Sequence, residues 1–409
     1  MAKVLSMILA GGEGSRLYPL TQSRTKPSVP FGGSYRLVDF ALNNFVNSDL
    51  LRIYVLTQFK SQSLNQHLSQ AWELNNITDT FIDAIPAQMR MGKHWYSGTA
   101  DAIYQNIQFI ESDEAELICI FGSDHIYKMD IRQKIDFHQE KGAVLTVSAI
   151  RLPKEQAYHF GIIEVDSEGR MIGFDEKPAV KDAKTIPGDP DHVLASMGNY
   201  VFDSKALQAE LSRDAAVEDS SHDFGKDIIP HLYPQGKVFV YDFTTNTIPG
   251  EDHNAYWRDV GTIESYWEAN MDLIKSTPLI SLYNRKWPMH TYYPALPPAN
   301  FRNGDNNTSV CHIRKCLISD GCYITGALIK KSVLGFKCIV GQDTEIHESV
   351  MLGESTIGKN CKILKTIIDK DVKIADNVQI GVNLEEDKRR FTVSDEGIVV
   401  IPKGARIGF

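Results

Sequence analysis

Short apolar runs alternate with segments of helical periodicity along the first two thirds of this chain. The apolar runs predict buried strands at Val4–Ala10, Arg52–Thr57, Leu117–Phe121 and Ala143–Ile150. Apolar residues at helical spacing predict helices at Thr99–Glu111, Ile131–Lys141 and Ile263–Ile274. Near-continuous apolar strands separated by helices favour an α/β domain, residues 1–275, built on a mostly parallel, doubly wound sheet. Such sheets bind ligands at the carboxyl ends of their strands.

Two features interrupt this alternation. A turn rich in Asp, Ser and Gly at residues 166–169 predicts a hairpin between Gly161–Val165 and Met171–Phe174. Residues 276–305 contain five prolines, which predicts an extended linker between two domains.

Beyond the linker, residues 306–409 follow a six-residue period. Apolar residues recur every six positions in three series: Leu334, Val340, Ile346 and Leu352; Met351, Ile357 and Ile363; and Ile368, Ile374 and Ile380. This period predicts a parallel β-helix with three short faces per coil. Irregular short strands are the alternative, because so short a period also arises by chance. The region has few residues of catalytic type, so its predicted role is assembly or regulation.

Composition narrows the class of protein. A chain of 409 residues is too long for one ordinary core, and its 43% hydrophobic and 23% charged residues are typical of a soluble globular protein. A net charge of −9 argues against a nucleic acid or an anionic membrane as partner. No apolar run approaches the length of a membrane-spanning helix, so we expect a cytoplasmic enzyme.

Five of the six cysteines lie in the last quarter of the chain, and none forms a C-x-x-C pair. Cys311, His312 and Cys316 leave a zinc site open as an alternative, although their spacing fits no common zinc template. Buried free thiols that pack as small hydrophobes are the favoured interpretation.

The end of the first strand carries the clearest chemical signal. Val4–Ala10 passes directly into a turn that holds Gly11, Gly12 and Arg16, and Lys26 follows ten residues later. Glycines let backbone N–H groups approach phosphates, and the two cations would neutralise them, so the pattern suits a polyphosphate. Neither a Walker loop nor a dinucleotide fingerprint fits, and an ordinary glycine-rich turn is the alternative.

Many short motifs follow in order along the chain: Ala10–Leu17, Lys26-Pro27, Phe31–Gly33, Arg36–Phe40, Trp95–Ala102, Gly122–Tyr127, Glu176–Pro178, Ser196–Gly198, Ser220–Asp227 and Tyr256–Gly261. Together with the hexapeptide repeats, this order resembles the sugar nucleotidyltransferases, most closely their adenylyl-transferring branch. The resemblance covers essentially the whole chain. It implies a Rossmann-like catalytic domain followed by a left-handed parallel β-helix.

The reaction that the resemblance implies is adenylyl transfer from ATP to glucose 1-phosphate, which gives ADP-glucose and pyrophosphate. It is the committed step of glycogen or starch synthesis and is regulated in many members of the family. The nucleophile is already a phosphate anion, so the reaction needs charge neutralisation and in-line alignment rather than a general base. A regulatory subunit that binds nucleotides but has no catalytic activity is one alternative to an enzyme.

The family's positions map onto residues of this chain. Asp124 and Asp259 match the carboxylates that hold Mg²⁺, and Arg16 and Lys26 match the cations that clamp the triphosphate, with Arg16, Lys26 and Asp124 as the catalytic set. The nucleotide-binding positions are Gly11, Gly12, Gln58, Tyr96, Gly98 and Thr99. Surface aspartates, solvated cations and a core tyrosine are the structural alternatives for these residues.

The sugar phosphate is assigned to a second group of residues. Lys177 matches the lysine that holds the phosphate, and the other positions are Gly161, Glu176, Ser196 and Asp223. A loop charge is the alternative for Lys177. His125 is adjacent to Asp124, but we expect it to pack or support rather than to act as a base, because the nucleophile carries no proton to abstract.

The chain departs from many bacterial members at two places. Glu13 stands in the glycine turn where a cation is common, and Ser23 replaces one cation before Lys26. We expect an anionic metabolite effector, if one acts, to use Arg24 together with Arg390 and Lys403. A solvated charge run is the alternative.

Two further expectations concern partners and substrates. Members of the family are typically homotetramers or heterotetramers, and we expect a homotetramer here. A sister enzyme that uses UTP, dTTP or GTP remains the alternative for the substrate, although the motifs around Tyr96, Asp223 and Asp259 favour ATP.

Overall fold

A computed structural model describes residues 2–74, 79–88, 95–252, 255–305 and 309–409. The α-helices are Leu37–Asn47, Gln62–Ala71, Thr99–Tyr104, Ile107–Asp113, Ile131–Lys141, Ser204–Ala215, Ile229–Leu232, Ile263–Asp272 and Leu384–Asp387. Short 3-10 helices are Ser15–Leu17, Lys26–Ser28, Lys154–His159, Tyr233–Gln235 and Phe243–Thr245, and Phe224–Ile228 forms a π-helical turn.

The first domain is built on a nine-stranded sheet. Its main path runs in the order Phe81–Pro86, Arg52–Thr57, Val4–Ala10, Leu117–Gly122, His192–Asp203, Gly161–Val165 and Met171–Glu176. Leu145–Pro153 pairs antiparallel with His192–Asp203, and Val238–Asp242 pairs parallel with Leu145–Pro153. Smaller two-stranded units are Pro30–Phe31 with Tyr35–Arg36, and His125–Tyr127 with Trp257–Asp259.

The predicted α/β class and the mostly parallel sheet are confirmed. The four strands from Phe81–Pro86 to Leu117–Gly122 are parallel neighbours, so their carboxyl ends meet at one edge. Only His192–Asp203 and Met171–Glu176 run against the other described strands of this sheet. The strand His192–Asp203 was not predicted, because its sequence mixes polar and small residues with apolar ones.

Several element boundaries match the prediction residue for residue, and one helix does not. Val4–Ala10, Arg52–Thr57 and Ile131–Lys141 form as predicted. The single helix predicted over Thr99–Glu111 is instead two helices that meet at Asn106. The side-chain amide of Asn106 donates to the carbonyl of Ala102 at 2.8 Å, which is the acceptor that the backbone of a continuous helix would use.

The proline-rich stretch packs closely on the first domain. Trp287 is only 2% exposed, and the backbone of His290 exchanges two hydrogen bonds with the side chain of Asn43. The hydroxyl of Thr291 donates to the buried carboxylate of Asp39 at 2.7 Å. The strand Asn300–Arg302 already pairs with the β-helix, and the domain limits at 275 and 306 remain a prediction.

The second domain is a parallel β-helix, as expected for a left-handed hexapeptide repeat. Its strands are Asn300–Arg302, His312–Ile318, Tyr323–Thr325, Leu328–Leu334, Ile339–Val340, Glu345–His347, Val350–Met351, Thr356–Ile357, Lys362–Leu364, Thr366–Ile368, Lys373–Ile374, Gln379–Ile380, Thr392–Val393, Val399–Ile401 and Arg406–Ile407.

One coil of this β-helix takes 17 residues in its regular part. Ile329, Ile346, Ile363 and Ile380 are partners in successive parallel strands, and all four are fully buried. Stacked β-branched side chains fill the interior, which explains the six-residue period seen in the sequence. The alternative of irregular strands is thereby excluded.

The cysteines are free thiols that belong to this packing. Cys322, Cys338 and Cys361 are buried, and Cys311 and Cys316 are partly buried. Among the residues that the structure describes, neither Cys311 nor Cys316 belongs to a group of three potential metal ligands. The thiol interpretation is therefore preferred over the zinc site.

The two domains share a hydrophobic cluster and a buried ion pair. The cluster includes Val260 and Tyr266 from the first domain and Val333 and Val350 from the β-helix. The guanidinium of Arg24 donates to the carboxylate of Asp369 at 2.9 Å, and both side chains are nearly inaccessible. The β-helix is thus joined to the segment that leads into Lys26.

The stability of this fold is expected to depend on pH through Lys134, which is fully buried and donates to the carbonyl of Asn199. Burial lowers the pKa of Lys134 to about 7, despite a small opposite effect of Cys119. An unfolded lysine has a pKa of about 10.4, so the unfolded chain binds more protons between these values. We therefore expect the free energy of unfolding to rise from pH 7 to about pH 10.

Denaturant unfolding at pH 7, 8 and 9 would measure this rise. We expect Lys134→Met to abolish it and Lys141→Met, an exposed position at the end of the same helix, to retain it. Equal pH dependence in both variants would show that other groups are responsible.

Candidate active site

One cavity of about 660 Å³ opens at the carboxyl ends of the parallel strands. It brings together every residue that the sequence assigned to catalysis, metal, nucleotide or sugar phosphate: Gly11, Gly12, Arg16, Lys26, Gln58, Tyr96, Gly98, Thr99, Asp124, Gly161, Glu176, Lys177, Ser196, Asp223 and Asp259. These residues come from positions up to 248 apart in sequence, between Gly11 and Asp259. The three residues proposed for an effector do not line it.

The glycine turn forms one wall of the cavity. Gly14 has a φ of +65°, and a side chain there would also press against Lys26 and Thr21, so the turn requires glycine. The hydroxyl of Thr21 donates to the carbonyl of Gly14 at 2.9 Å and closes the loop over Lys26. Arg16 lines the cavity and makes no ion pair with the residues that the structure describes.

Glu13 stands in the glycine turn at a position where many bacterial members carry a cation. Glu13 is exposed and is not among the residues that line the cavity. Glu13 therefore does not belong to the cavity wall to which Gly11, Gly12 and Arg16 contribute.

Two carboxylates converge on one ammonium group at the floor of the cavity. The Nζ atom of Lys26 donates to Asp124 at 2.8 Å and to Asp259 at 3.0 Å. Asp124 follows the strand Leu117–Gly122. Asp259 reaches the same point because its strand pairs with His125–Tyr127, with Asp259 opposite His125.

The charges of Lys26, Asp124 and Asp259 stabilise one another. Burial opposes the charge on Asp124, but Lys26 and then His125 outweigh it and hold the pKa of Asp124 well below its usual range. Burial likewise opposes the charge on Lys26, yet Asp124 and Asp259 raise its pKa above the ordinary value. In the described structure the ammonium of Lys26 neutralises the two carboxylates.

These carboxylates fit a hard divalent cation. Asp124, His125 and Asp259 each offer one potential ligand atom, and these atoms lie within 4.8 Å of one another. Carboxylate oxygens suit magnesium, which keeps several waters and needs few protein ligands. Imidazole suits softer metals better, so Asp124 and Asp259 are the ligands that this donor set favours.

His125 packs beside the trio, in agreement with the supporting role expected for it. Its ring lies 5.0 Å from the ring of Trp257, and its Nε2 atom is 3.7 Å from Asp124 and 4.0 Å from Asp259. The Nδ1 atom is buried and has no hydrogen-bond partner among the described residues.

The nucleotide side of the cavity is built where a helix begins against a distant loop. A Cβ atom at Gly98 would collide with the carbonyl oxygens of Ser221 and His222, so only glycine fits there. The helix Thr99–Tyr104 starts at this contact, and the amide of Ala100 donates to the carbonyl of His222 at 2.8 Å. Gly98 and Thr99 at the start of this helix line the cavity, while the amides of Ala100 and Asp101 are already bonded to His222.

Two other nucleotide-side residues have partners that fix their positions. The hydroxyl of Tyr96 accepts a hydrogen bond from the amide of Asn106 at 2.9 Å. Gln58 lies against Gly11, whose absent side chain leaves room for it at the end of the first strand.

Another part of the cavity lining consists of two adjacent residues of opposite charge, Glu176 and Lys177. Lys177 has a φ of +51°, and its Nζ atom lies 2.8 Å from the carboxylate of Glu176. A side chain at Gly161 or Gly225 would intrude on Glu176, so these glycines keep the carboxylate accessible. Lys177 is 57% exposed at its side chain, which leaves its charge available to a ligand.

Asp223 has a structural role in addition to its place in the cavity. Its Oδ1 atom accepts from the backbone amides of Gly225 and Lys226, and its Oδ2 atom accepts from the hydroxyl of Thr99 at 3.0 Å. Asp223 therefore ties the π-helical turn to the start of the helix Thr99–Tyr104. Ser196 lines the cavity from the strand His192–Asp203, two residues before Gly198.

Sequence reasoning did not single out several aromatic residues that line this cavity. They are Phe59, His159, Phe160, Phe174, Tyr200, Phe224 and Trp257. Trp257 and Phe224 stand inside motifs that the sequence showed, and this adjacency was the available signal. The others are common residue types in loops or strands, and only the fold brings them to the cavity.

The three residues proposed for an effector, Arg24, Arg390 and Lys403, share no contact partner among those described below. Arg24 is buried in its ion pair with Asp369, while Arg390 pairs with Glu386 at 3.5 Å and packs on Phe391. Lys403 is exposed near the end of the β-helix. The Nη1 atom of Arg24 is buried without a hydrogen-bond partner in the described structure.

The buried ion pair makes a prediction about stability. Removing one partner leaves the other charge buried and unpaired, so Arg24→Met is expected to lower the free energy of unfolding by about 3 kcal/mol. The double variant Arg24→Met/Asp369→Leu should recover most of this loss, because no charge is then left unpaired. Denaturant titration measures both, and a double variant no more stable than Arg24→Met would contradict this account.

Comparisons with known proteins agree with this geometry. The family model described as "Nucleotidyl transferase" matches residues 5–276, and the one described as "GlmU-like, C-terminal hexapeptide" matches residues 297–401. The chain therefore belongs to the nucleotidyl transferase family. None of the described helices is long and apolar enough to cross a membrane.

Relatives that match the full length of the chain identify the subgroup of the family to which it belongs. The chain is 64% identical to the glucose-1-phosphate adenylyltransferase of Aliivibrio fischeri, 63% identical to glucose-1-phosphate adenylyltransferase 1 of Vibrio parahaemolyticus and 50% identical to the glucose-1-phosphate adenylyltransferase of an Anaeromyxobacter species. Each match covers all of this chain and all of the relative. Within the nucleotidyl transferases, the chain is thus a member of the glucose-1-phosphate adenylyltransferases, which are enzymes.

Proposed function

We propose that this chain transfers the adenylyl group of ATP to glucose 1-phosphate and releases pyrophosphate and ADP-glucose. The observation that carries the proposal is one cavity lined by two groups of charged residues. Lys26, Asp124 and Asp259 contact one another in the first group, and Glu176 and Lys177 form the second. A substrate with a triphosphate and a second substrate with a sugar phosphate would therefore meet between them. The names of the full-length relatives support the same reaction.

Magnesium is the metal that we assign to Asp124 and Asp259. Enzymes of this class generally use a divalent metal ion, and the two carboxylates supply the oxygen ligands that magnesium prefers. When bound, Mg²⁺ would neutralise negative charge on the triphosphate and help to orient it. Lys26, released from the two carboxylates, would then be free to bind phosphate oxygens.

The residues of the chain would divide the remaining work by their position. Arg16 and the backbone of Gly11 and Gly12 would bind the triphosphate, and Lys177 would hold the sugar phosphate opposite it. Glu176, Ser196 and Asp223 offer acceptors for sugar hydroxyl groups. No residue has to remove a proton from the attacking phosphate, so holding the two substrates in line accounts for most of the rate.

Pyrophosphate release from purified protein tests this function. The assay contains Mg²⁺ and glucose 1-phosphate and compares ATP with UTP, dTTP and GTP. We expect ATP-selective release. Selectivity for another nucleotide would identify a sister enzyme, and no release with any nucleotide, even with phosphorylated effectors added, would favour a silent regulatory subunit.

We further propose that an anionic metabolite acts near Arg24. Burial lowers the pKa of Arg36 and of Lys370, and nearby Arg24 lowers both further, while Asp39, Glu354 and Asp369 act in the opposite direction. A phosphorylated effector that replaces these carboxylates would bind the three cations at the domain junction. Arg390 and Lys403 would contribute if they move toward it. An unchanged response to sugar phosphates in Arg390→Gln/Lys403→Gln would remove these two residues from the proposal.

We also propose a homotetramer located in the cytoplasm, where ATP and sugar phosphates are available. The strand Asn300–Arg302 is exposed along its whole length and offers an edge to a second copy. Sedimentation that shows only a monomer at micromolar concentration would contradict the tetramer.

A further inference from the structure

A second concave region lies on the outside of the β-helix and shares no residue with the catalytic cavity. It is a groove of about 680 Å³. Its charged lining consists of Arg314, Lys315, Lys330, Lys331 and Lys362, with Glu345 and Glu348 as the carboxylates, and His347 and Leu364 complete it. We call it the β-helix groove.

The 17-residue coil stacks these cations directly on one another. Arg314 and Lys330 are register partners in adjacent parallel strands, and Lys330 is in turn the partner of His347. Lys315 and Lys331 occupy the next corner of the same coils, each with a positive φ. Like charges directly opposite in a sheet destabilise it, so the fold itself gains nothing from this arrangement.

Most of these positive charges lack a compensating carboxylate. Lys331 pairs with Glu348 at 2.8 Å. Arg314, Lys315, Lys330 and Lys362 form no ion pair with any residue that the structure describes. Five cations face two carboxylates in a protein whose overall charge is −9, so the groove is a local reversal of the sign of the surface.

We propose that the β-helix groove binds a small anionic ligand that carries at least two phosphate groups. Adjacent strands are about 4.8 Å apart, and Lys362 lies two strands beyond Lys330, so the strands of these two lysines are about 10 Å apart, with the strand of Glu345 and His347 between them. One phosphate would lie between Arg314 and Lys330, and a second would lie toward Lys362. A bisphosphate or a short polyphosphate has the charge and the length to match this spacing.

A ligand bound in the β-helix groove would affect the first domain through Trp267. The indole Nε1 atom of Trp267 donates to the carbonyl oxygen of Glu348 at 2.7 Å, and the ammonium of Lys365 lies 5.3 Å from the ring centre. Trp267 belongs to the helix Ile263–Asp272, which begins four residues after Asp259. An anion that competes with Glu348 for Lys331 would disturb this contact, so Trp267 provides a spectroscopic probe of binding.

Isothermal titration with inorganic tripolyphosphate tests the proposal on the full-length protein. Wild type is compared with Lys330→Gln/Lys362→Gln. The control Lys359→Gln/Lys373→Gln removes the same charge from two exposed lysines on the other sheet of the β-helix. The catalytic cavity also attracts this probe, so the informative quantity is the difference in stoichiometry between variants. We expect the groove variant to lose one binding event that wild type and the control retain.

Two further measurements distinguish binding in the groove from binding in the catalytic cavity if the two events overlap in the titration curves. The event that the groove variant loses should weaken steeply with salt in wild type, because several cations contact phosphate there. Tryptophan fluorescence should change on titration in wild type and in the control, and part of this change should be lost in Trp267→Phe, while the part from Trp257 in the catalytic cavity remains. Identical isotherms and fluorescence in all proteins would overturn the proposal.

A change of oligomeric state in the groove variant, with unchanged tripolyphosphate binding, would also overturn it. That result would instead make the groove a contact between copies of this chain. Analytical ultracentrifugation of the same three proteins distinguishes the two outcomes. Neither outcome depends on adenylyl transfer, because no groove residue lines the catalytic cavity.

Discussion

Replacing Asp124 by Asn is expected to lower kcat by at least about 10³-fold, which corresponds to about 4 kcal/mol of transition-state stabilisation. The variant keeps the size and shape of the side chain but removes one of the two negative charges that converge on Lys26. Metal affinity should fall with the charge, so a higher magnesium concentration should restore part of the activity. Initial rates of pyrophosphate release over a range of magnesium concentrations measure both effects.

Asp136→Asn is the matched control, because Asp136 is exposed on the helix Ile131–Lys141, away from the cavity. It should leave kcat unchanged. Lys26 keeps its contact with Asp259 in Asp124→Asn, so we expect the thermal midpoint to change little. Activity within tenfold of wild type in Asp124→Asn would contradict the assignment of Asp124 to the metal.

Replacing Lys177 by Gln is expected to lower kcat/KM for glucose 1-phosphate by about 10²- to 10³-fold, because a charge-assisted contact to the sugar phosphate is lost. The KM for ATP should change less than about threefold, since Lys177 is assigned to the sugar phosphate and not to the triphosphate. Steady-state kinetics with each substrate varied in turn separate these effects.

Two variants sharpen the test of Lys177. Lys177→Arg keeps the charge and should recover part of the loss, although its fork places the charge differently. Lys181→Gln removes an exposed lysine four residues further along the chain and should have no effect on either substrate. Equal losses for ATP and glucose 1-phosphate in Lys177→Gln would indicate a general disturbance of the cavity instead of a contact with the sugar phosphate.

The sequence assigned to the site a set of residues that line one cavity, and this has a physical explanation. Glycines, paired cations and carboxylates at strand ends have few structural reasons to occur together, so their types and order identify the chemistry. Arg24 shows the limit of such reasoning, because its sequence suggests an exposed cation and the fold buries it against Asp369. Whether a charged side chain binds a ligand or another element depends on residues hundreds of positions away.

Local structure was predictable where one interaction dominates. The strand Val4–Ala10 and the helix Ile131–Lys141 formed as predicted because hydrophobic periodicity alone decides them. The helix predicted from Thr99 broke at Asn106 because a side-chain amide competes with the backbone for the carbonyl of Ala102. The strand His192–Asp203 was missed because its pairing with two neighbours stabilises it more than its own composition does.

By itself the sequence determined the α/β class, the hexapeptide β-helix and the residue types of the proposed active site, because periodicity and short motifs are local properties of a chain. The tertiary structure decided which of those residues meet. It set Asp259 beside Asp124 through the pairing of His125–Tyr127 with Trp257–Asp259, and it stacked Arg314 on Lys330 through a 17-residue coil. Both juxtapositions arise from strand register, which is fixed by packing across the whole fold and not by the residues on either side.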